Sequence, residues 1–314
     1  MRGVSSLSSS SSSRRRVWLT AALSLRCQAA ARGPPRRLCY GGATARRRTE
    51  QAQGQWSAIG RVSRSSVALY DLTSLGPVGY SEAMRFQSRL VQSRVANATK
   101  DGLVLVEHEA VYTLGRGATQ EHVRYDPTEA GAPPLLRTER GGDVTYHGPG
   151  QLVAYPVLHL GGYRKDSHWY LRALEEVVVR TCAALGLPDA ERHPEHTGVW
   201  LRGTKVAAVG VALRRWVTYH GVALNVCPSV ADFDRIVPCG LHDEPVGSLQ
   251  QHLGEVTLAD VAPLFLAEFA SVFEADLANV DVVREKRQGD DDHRRERGED
   301  RLDALTFPAN DDDA

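Results

Sequence analysis

The chain has 314 residues, 42% apolar and 24% charged, with 38 basic and 38 acidic side chains and five cysteines. That length and balance suit one soluble globular domain with tails, and exclude a collagenous chain, a wholly disordered one and a disulfide scaffold. No stretch approaches the roughly 20 consecutive apolar residues of a membrane-spanning helix, so an integral membrane protein is not expected.

The zero net charge is a cancellation between regions. Residues 1–49 hold eleven Arg and no acid, and 284–314 hold eleven acids against seven bases, which leaves 20 bases and 27 acids in 50–283. Three segments are expected: a presequence and disordered arm over 1–49, a folded body over 50–283 and a charged disordered tail over 284–314. A net acidic body offers no platform for nucleic acid. The Ser-rich, Arg-rich, acid-free start reads as a mitochondrial presequence, because a cationic amphipathic segment is drawn to anionic membranes and an inside-negative potential. The run Val17–Leu25 also suits a secretory signal, but Thr20 and Ser24 interrupt it and no small-x-small cleavage site follows cleanly.

Along the body, Val67–Leu72 reads as a strand and Ser81–Ala96 as a helix with Met84, Phe86, Leu90, Val91 and Val95 inward. Leu103–Glu107 is a buried-strand run, Pro133-Pro134 marks a loop, and Gln151–Leu160 is a further strand. Trp169–Leu185 carries Leu171, Leu174, Val178, Cys182 and Leu185 on one helical face and stops at Gly186. Strands are expected at Gly198–Leu201, Lys205–Leu213 and Thr218–Val226, and a last helix over Leu258–Leu277. This irregular order predicts an α+β fold, a mixed β-sheet with flanking helices.

Chemistry concentrates in Arg140-Gly-Gly-Asp-Val-Thr-Tyr-His-Gly-Pro-Gly-Gln151. Its four glycines make a loop whose backbone approaches a ligand closely, with Arg140 as a fixed cation and Thr145 and His147 as hydrogen-bonding groups. A plain glycine hairpin is the simpler reading. The stretch is neither a P-loop nor a dinucleotide fingerprint. Lys205, one of only four Lys beside 34 Arg, lies between apolar residues on a strand. Lys deprotonates when desolvated and Arg does not, so Lys205 is a candidate proton carrier, unless it simply snorkels to water. Cys239, between Pro238 and Gly240, sits where a reactive thiol is reachable, whereas Cys182 reads as core. No zinc pattern is present; His193-Pro-Glu-His196 reads as loop, and Arg214-Arg215 is a candidate docking cluster or a solvated strand end.

Together these residues resemble the lipoyl(octanoyl) transferases, whose Arg-Gly-Gly-x-x-Thr-aromatic-His-x-x-Gly-Gln-x-x-x-Tyr pattern Arg140–Tyr155 fits at every fixed position. The resemblance extends through Tyr112–Arg116, Gly198–Trp200, Lys205–Gly210, His220–Asn225 and Pro238–Gly240, roughly residues 67 to 275. It implies a fold like the biotin and lipoate protein ligase catalytic domains. It further implies octanoyl transfer from octanoyl-acyl carrier protein to a lysine of lipoyl domains, the glycine cleavage H protein among the acceptors, with no metal and no cofactor. Cys239 matches the family's nucleophile and Lys205 its activator. Arg140, Gly141, Gly142, Asp143, Val144, Thr145, Tyr146 and His147, then Ala208, Val209 and Gly210, then Gly221, Val222 and Ala223, match its substrate-contacting segments. Val222 stands where leucine is common, a small change in the acyl tunnel. An ATP-dependent lipoate or biotin ligase, or a lipoyl-domain-binding protein without catalysis, are the alternatives.

Overall fold

The sheet at the centre of the molecule is explained by strands that are apolar on both faces. In the computed structural model, residues 64–237 and 245–281 together with 302, 305 and 307 are described. Strand β1 (Ser65–Asp71) precedes helix α1 (Tyr80–Val95), and β2 (Asp101–Val106) is buried along its whole length. Successive residues of these strands face opposite layers, as the two-residue period requires. Val67, Leu69, Leu103 and Leu105 join one apolar cluster, and Ala68, Tyr70, Val104 and Val106 join another. A near-continuous apolar run is the signature of a strand covered on both sides.

The rest of the chain supplies the covers and the remaining strands. Strands β3 (Val111–Leu114), β4 (Leu135–Arg137) and β5 (Val144–His147) form a small sheet in the order β4-β3-β5. Then come β6 (Gln151–Val157), α2 (Ser167–Ala184), β7 (Ala190–Glu191), β8 (Val199–Leu201), β9 (Thr204–Arg214) and β10 (Val217–Asn225). The short α3 (Gln250–Leu253), α4 (Leu258–Val272) and β11 (Ala275–Asn279) complete the set. The large sheet has the order β11-β1-β2-β6-β10-β9-β8-β7, parallel at β11-β1-β2 and antiparallel from β2 onward. Helices α2 and α4 cover one face through Tyr170, Leu174, Val178, Phe265 and Phe269, while α1 covers the other through Phe86, Leu90 and Val91. The mixed sheet with flanking helices is the architecture expected from the sequence.

Local chemistry sets the helix boundaries. Asp166 caps α2, accepting from the amides of His168 and Trp169 at 2.9 and 3.0 Å, and a reciprocal Thr257–Asp260 capping box opens α4. The last helix is shorter than its apolar pattern predicts. It stops at Val272, Glu274 turns the chain with φ 48°, and Ala275–Asn279 pairs in parallel with β1. An open sheet edge thereby overrides helical periodicity. Leu302 joins the apolar cluster that contains Tyr70 and Phe86, Leu305 packs on that cluster, and Phe307 meets the Tyr70 and Phe86 rings edge-on. Among the described residues, no helix is long and apolar enough to cross a membrane.

Candidate active site

The small sheet and the large sheet meet at the glycine-rich stretch. Strand β5 pairs with β3 and the next strand, β6, pairs with β2 and β10, so Gly148-Pro149-Gly150 carries the chain from one sheet to the other. Gly150 has φ 87°, and its carbonyl accepts from the amides of Val226 and Cys227 at 3.1 and 2.9 Å. A Cβ there would lie 2.5 Å from the Cys227 carbonyl, which explains why this corner is glycine.

The segment before β5 is laced down on both sides. Gly141 donates to the Val211 carbonyl on β9 at 2.9 Å, while the amides of Arg116 and Gly117 donate to the carbonyls of Arg140 and Gly142 at 3.0 and 3.1 Å. Arg140 is buried, and its guanidinium donates to the carbonyl and hydroxyl of Thr113 at 2.7 and 2.9 Å and to the Gly141 carbonyl at 3.1 Å. A fixed cation thus stands in the wall of a narrow cavity.

The structure brings nearly all the expected positions to that cavity. Arg140, Gly141, Gly142, Asp143, Val144, Thr145 and His147 line one wall; Lys205, Ala208, Val209 and Gly210 of β9 and Gly221, Val222 and Ala223 of β10 line another. The β9 and β10 residues are cross-strand partners, Gly210 with Gly221, Val209 with Val222 and Ala208 with Ala223. Small side chains in register leave the trough between them. Tyr146 is not in this wall. It packs against Tyr112 and Phe233 and lines an adjoining smaller cavity with Gln151 and Asn225. Cys239 lies outside the described residues.

Lys205 is held by its surroundings rather than left to solvent. It is 6% exposed, its amide donates to the Pro245 carbonyl at 2.8 Å, and its own carbonyl accepts from Gly247 at 3.0 Å. The β8–β9 register shifts at Val199/Trp200, so that Trp200 faces Lys205 while Val199 faces Ala207. Irregularities of this kind re-aim side chains. The Lys205 Nζ sits over the Trp200 indole, 4.9 Å from the ring centroid; Trp200 in turn packs at a tilt of 45° against His193, which stacks with His196. The His193–His196 pair is therefore packed loop, as expected, and backs the ring that carries the ammonium. Gly198 has φ 143° and donates to the fully buried Glu175 at 2.8 Å; a Cβ on it would lie 2.6 Å from the Ala207 carbonyl and 2.8 Å from Lys205 Cε.

Five lining residues stand outside the expected set: Tyr80, Val153, Tyr155, Thr197 and His220. Tyr155 ends the glycine motif and His220 precedes Gly221, so both were within reach of motif reasoning, whereas Tyr80 opens α1 without any sequence signal. Behind them lies a polar network. His108 Nδ1 is 3.1 Å from the Val78 carbonyl and so carries the proton, leaving Nε2 to accept from the Tyr155 hydroxyl at 2.7 Å. The Gln151 amide donates to the Tyr146 carbonyl and to Asn225 Oδ1 at 3.1 and 3.0 Å, so its oxygen accepts from His147 Nδ1 at 3.1 Å. His147 Nε2 is then its unprotonated nitrogen.

Burial keeps these imidazoles neutral. Desolvation first, then the Arg140 charge, lowers His220 from 6.5 to about 4; desolvation lowers His108 to about 4 against a raising contribution from the Val78 carbonyl; and His147 is driven well below 6.5 by desolvation, His108 and Arg140. A histidine lowered in the folded state is protonated first in the unfolded chain, so stability is complete above about pH 6.5 and falls as the pH drops from there toward 4. Urea unfolding is expected to show lower stability at pH 5 than at pH 7.5; equal midpoints would mean that the cluster is solvated.

The fold and this cavity define a class that matches by comparison as well. Residues 79–270 match the family model described as the lipoyl protein ligase A/B catalytic domain. By fold the protein is similar to lipoate-protein ligase A bound with ATP (TM-score 0.58, 16% identity, covering 69% of this chain and 88% of that one). It is likewise similar to a bipartite lipoate protein ligase from Thermoplasma acidophilum, studied with its E2 lipoyl domain (TM-score 0.56, 20% identity, 69% and 87%). In sequence it is 49% identical over 206 residues to an octanoyltransferase of Thermosynechococcus vestitus, covering 65% of this chain and 90% of the relative. An octanoyltransferase of Synechocystis is 50% identical over 203 residues, covering 64% and 88%. The chain belongs to the lipoyl protein ligase A/B catalytic-domain family and, within it, to the octanoyltransferases. It is an acyltransferase.

Proposed function

We propose that the protein takes an octanoyl group from the phosphopantetheine thioester of acyl carrier protein and passes it to a lysine of a lipoyl domain, through a thioester on Cys239. The observation that carries this reading is the buried Lys205 at the cavity, whose amide is bonded to Pro245, one end of the segment that contains Cys239; the other end, Val237, donates to the His122 carbonyl at 2.8 Å. A free thiol is only a few per cent thiolate at neutral pH and needs a neighbouring base.

The steps balance without a metal or ATP. Once the Cys239 proton has passed to Lys205, Sγ attacks the octanoyl carbonyl, a new C–S bond forms, and the bond to the carrier's sulfur breaks. The leaving thiolate recovers the proton from the Lys205 ammonium. In the second half the acceptor's neutral ε-amine attacks the Cys239 thioester, its proton passes to Lys205, the C–N bond forms and the C–S bond breaks, and Cys239 is reprotonated. The Trp200 ring fixes where the ammonium sits during both exchanges. The Arg140 charge beside the cavity favours the carbonyl oxygen as it becomes an oxyanion.

The arginine-rich, acid-free residues 1–49 support delivery to the mitochondrial matrix, with the glycine cleavage H protein among the acceptors there; a fluorescent reporter joined to 1–49 that stays cytosolic would contradict that address. For the reaction, the test is octanoylation of a lipoyl domain by the purified protein with octanoyl-acyl carrier protein and no ATP. Product under those conditions is expected. Product only from free octanoate and ATP would make the protein a ligase instead, and binding of the lipoyl domain without product from either donor would make it a non-catalytic partner.

A further inference from the structure

Helix α2 carries a carboxylate into the core that the glycine-rich pattern does not include. Glu175, beside the core residue Leu174, is fully buried. One of its oxygens, Oε2, pairs with Arg172 Nη1 at 2.8 Å and lies 3.8 Å from Arg192 Nε; the other, Oε1, accepts from the Gly198 amide at 2.8 Å. A buried ion pair is weak evidence for stability, because desolvating both ions offsets much of their attraction. What this carboxylate does that an apolar side chain of its size could not is hold the Gly198 amide. The next residue supplies a contrast: Glu176 pairs with Arg180 at 2.8 Å and with the same Arg192, while the Gly198 bond goes to Glu175.

We infer that Glu175 is a positioning residue for Lys205, acting through Gly198, an assignment that rests on the proton-carrying role proposed for Lys205 above. Gly198 stands directly before β8 and so close to the lysine that a Cβ on it would lie 2.8 Å from Lys205 Cε. The irregular β8–β9 register that sets Trp200 opposite Lys205 begins at the next residue, Val199. Holding the Gly198 amide therefore fixes both the backbone beside the lysine stem and the start of the strand that carries the ring under its ammonium. The acceptor oxygen at that reach is what the role requires, and the negative charge is not.

The test measures kcat per folded molecule, and KM for octanoyl-acyl carrier protein and for a lipoyl domain, in full-length Glu175→Gln, Glu175→Asp, Glu175→Ala and Glu176→Ala. Glu175→Gln keeps an oxygen at the same reach and is expected to hold kcat within about twofold. Glu175→Asp keeps the charge one methylene short and is expected to lower kcat about tenfold, and Glu175→Ala about a hundredfold, with both KM values unchanged. Glu176→Ala, which loses its pair with the same Arg192, is expected to keep kcat. If Glu175→Ala does not fold, the Gln and Asp variants decide. An active Glu175→Asp beside an inactive Glu175→Gln would make Glu175 a buried counter-ion, and a lower melting temperature with kcat unchanged in every Glu175 variant would make it purely structural; either result overturns the assignment. Lys205→Arg at wild-type turnover would instead overturn the reading of Lys205 on which it rests.

Discussion

Lys205→Arg is expected to keep the fold and lower octanoyl transfer by about 10²- to 10⁴-fold, the usual worth of a positioned acid–base group. The substitution keeps a cation beside Trp200 and Gly198 but removes the ability to give up a proton, because a guanidinium stays charged at any working pH. Single-turnover rates would show both halves of the reaction slowed, since each needs a proton to leave and return through the same nitrogen. Turnover within a few fold of wild type, with an unchanged melting temperature, would mean that Lys205 acts only as a fixed charge.

Gly198→Ala is expected to have the second largest effect, although the residue has no side chain with which to do chemistry. Its φ of 143° lies where an alanine is strained, and the added Cβ would meet the Ala207 carbonyl at 2.6 Å and the Lys205 stem at 2.8 Å. The carbonyl belongs to the sheet and does not yield, so the lysine must shift. A displacement of about 1 Å at a catalytic group is worth about a hundredfold in rate. Strain of about 1–3 kcal/mol would also lower the melting temperature by several degrees. The signature is loss of kcat well beyond the loss of stability; a variant that loses only stability would place Lys205 free to relax.

How much of this was legible beforehand depended on whether the signal was local. Leu103–Glu107 announced a doubly covered strand, and β2 is buried on both faces. Phe86, Leu90 and Val91 of α1 and Leu174, Val178 and Cys182 of α2 announced their inner faces, and all six are buried. The three-stranded sheet was not visible, because β3, β4 and β5 have four, three and four residues and lie among glycines and prolines that read as loop. Residues 275–277 read as helix because Leu277 continued the period of α4, while the partner that makes them a strand, β1, lies over 200 positions earlier.

The cavity shows the same division. Arg140–His147 and the small residues of β9 and β10 were identifiable as a pattern, and thirteen of those fourteen positions line the cavity together with Lys205; the exception, Tyr146, is turned toward Phe233. Tyr80 and His108 were not identifiable, since a first helical residue and a buried histidine carry no spacing of their own. Trp200 had a motif but no visible role until the Nζ of Lys205 was seen over its ring.

The covalent thioester is the centre of the account, and intact mass of the protein from residue 50 onward after incubation with octanoyl-acyl carrier protein tests it directly, with Cys239→Ala alongside. The account predicts a gain of one octanoyl group that hydroxylamine removes and that Cys239→Ala does not acquire. An unmodified wild-type protein that still forms product on a lipoyl domain, or an equal adduct on Cys239→Ala, would contradict it.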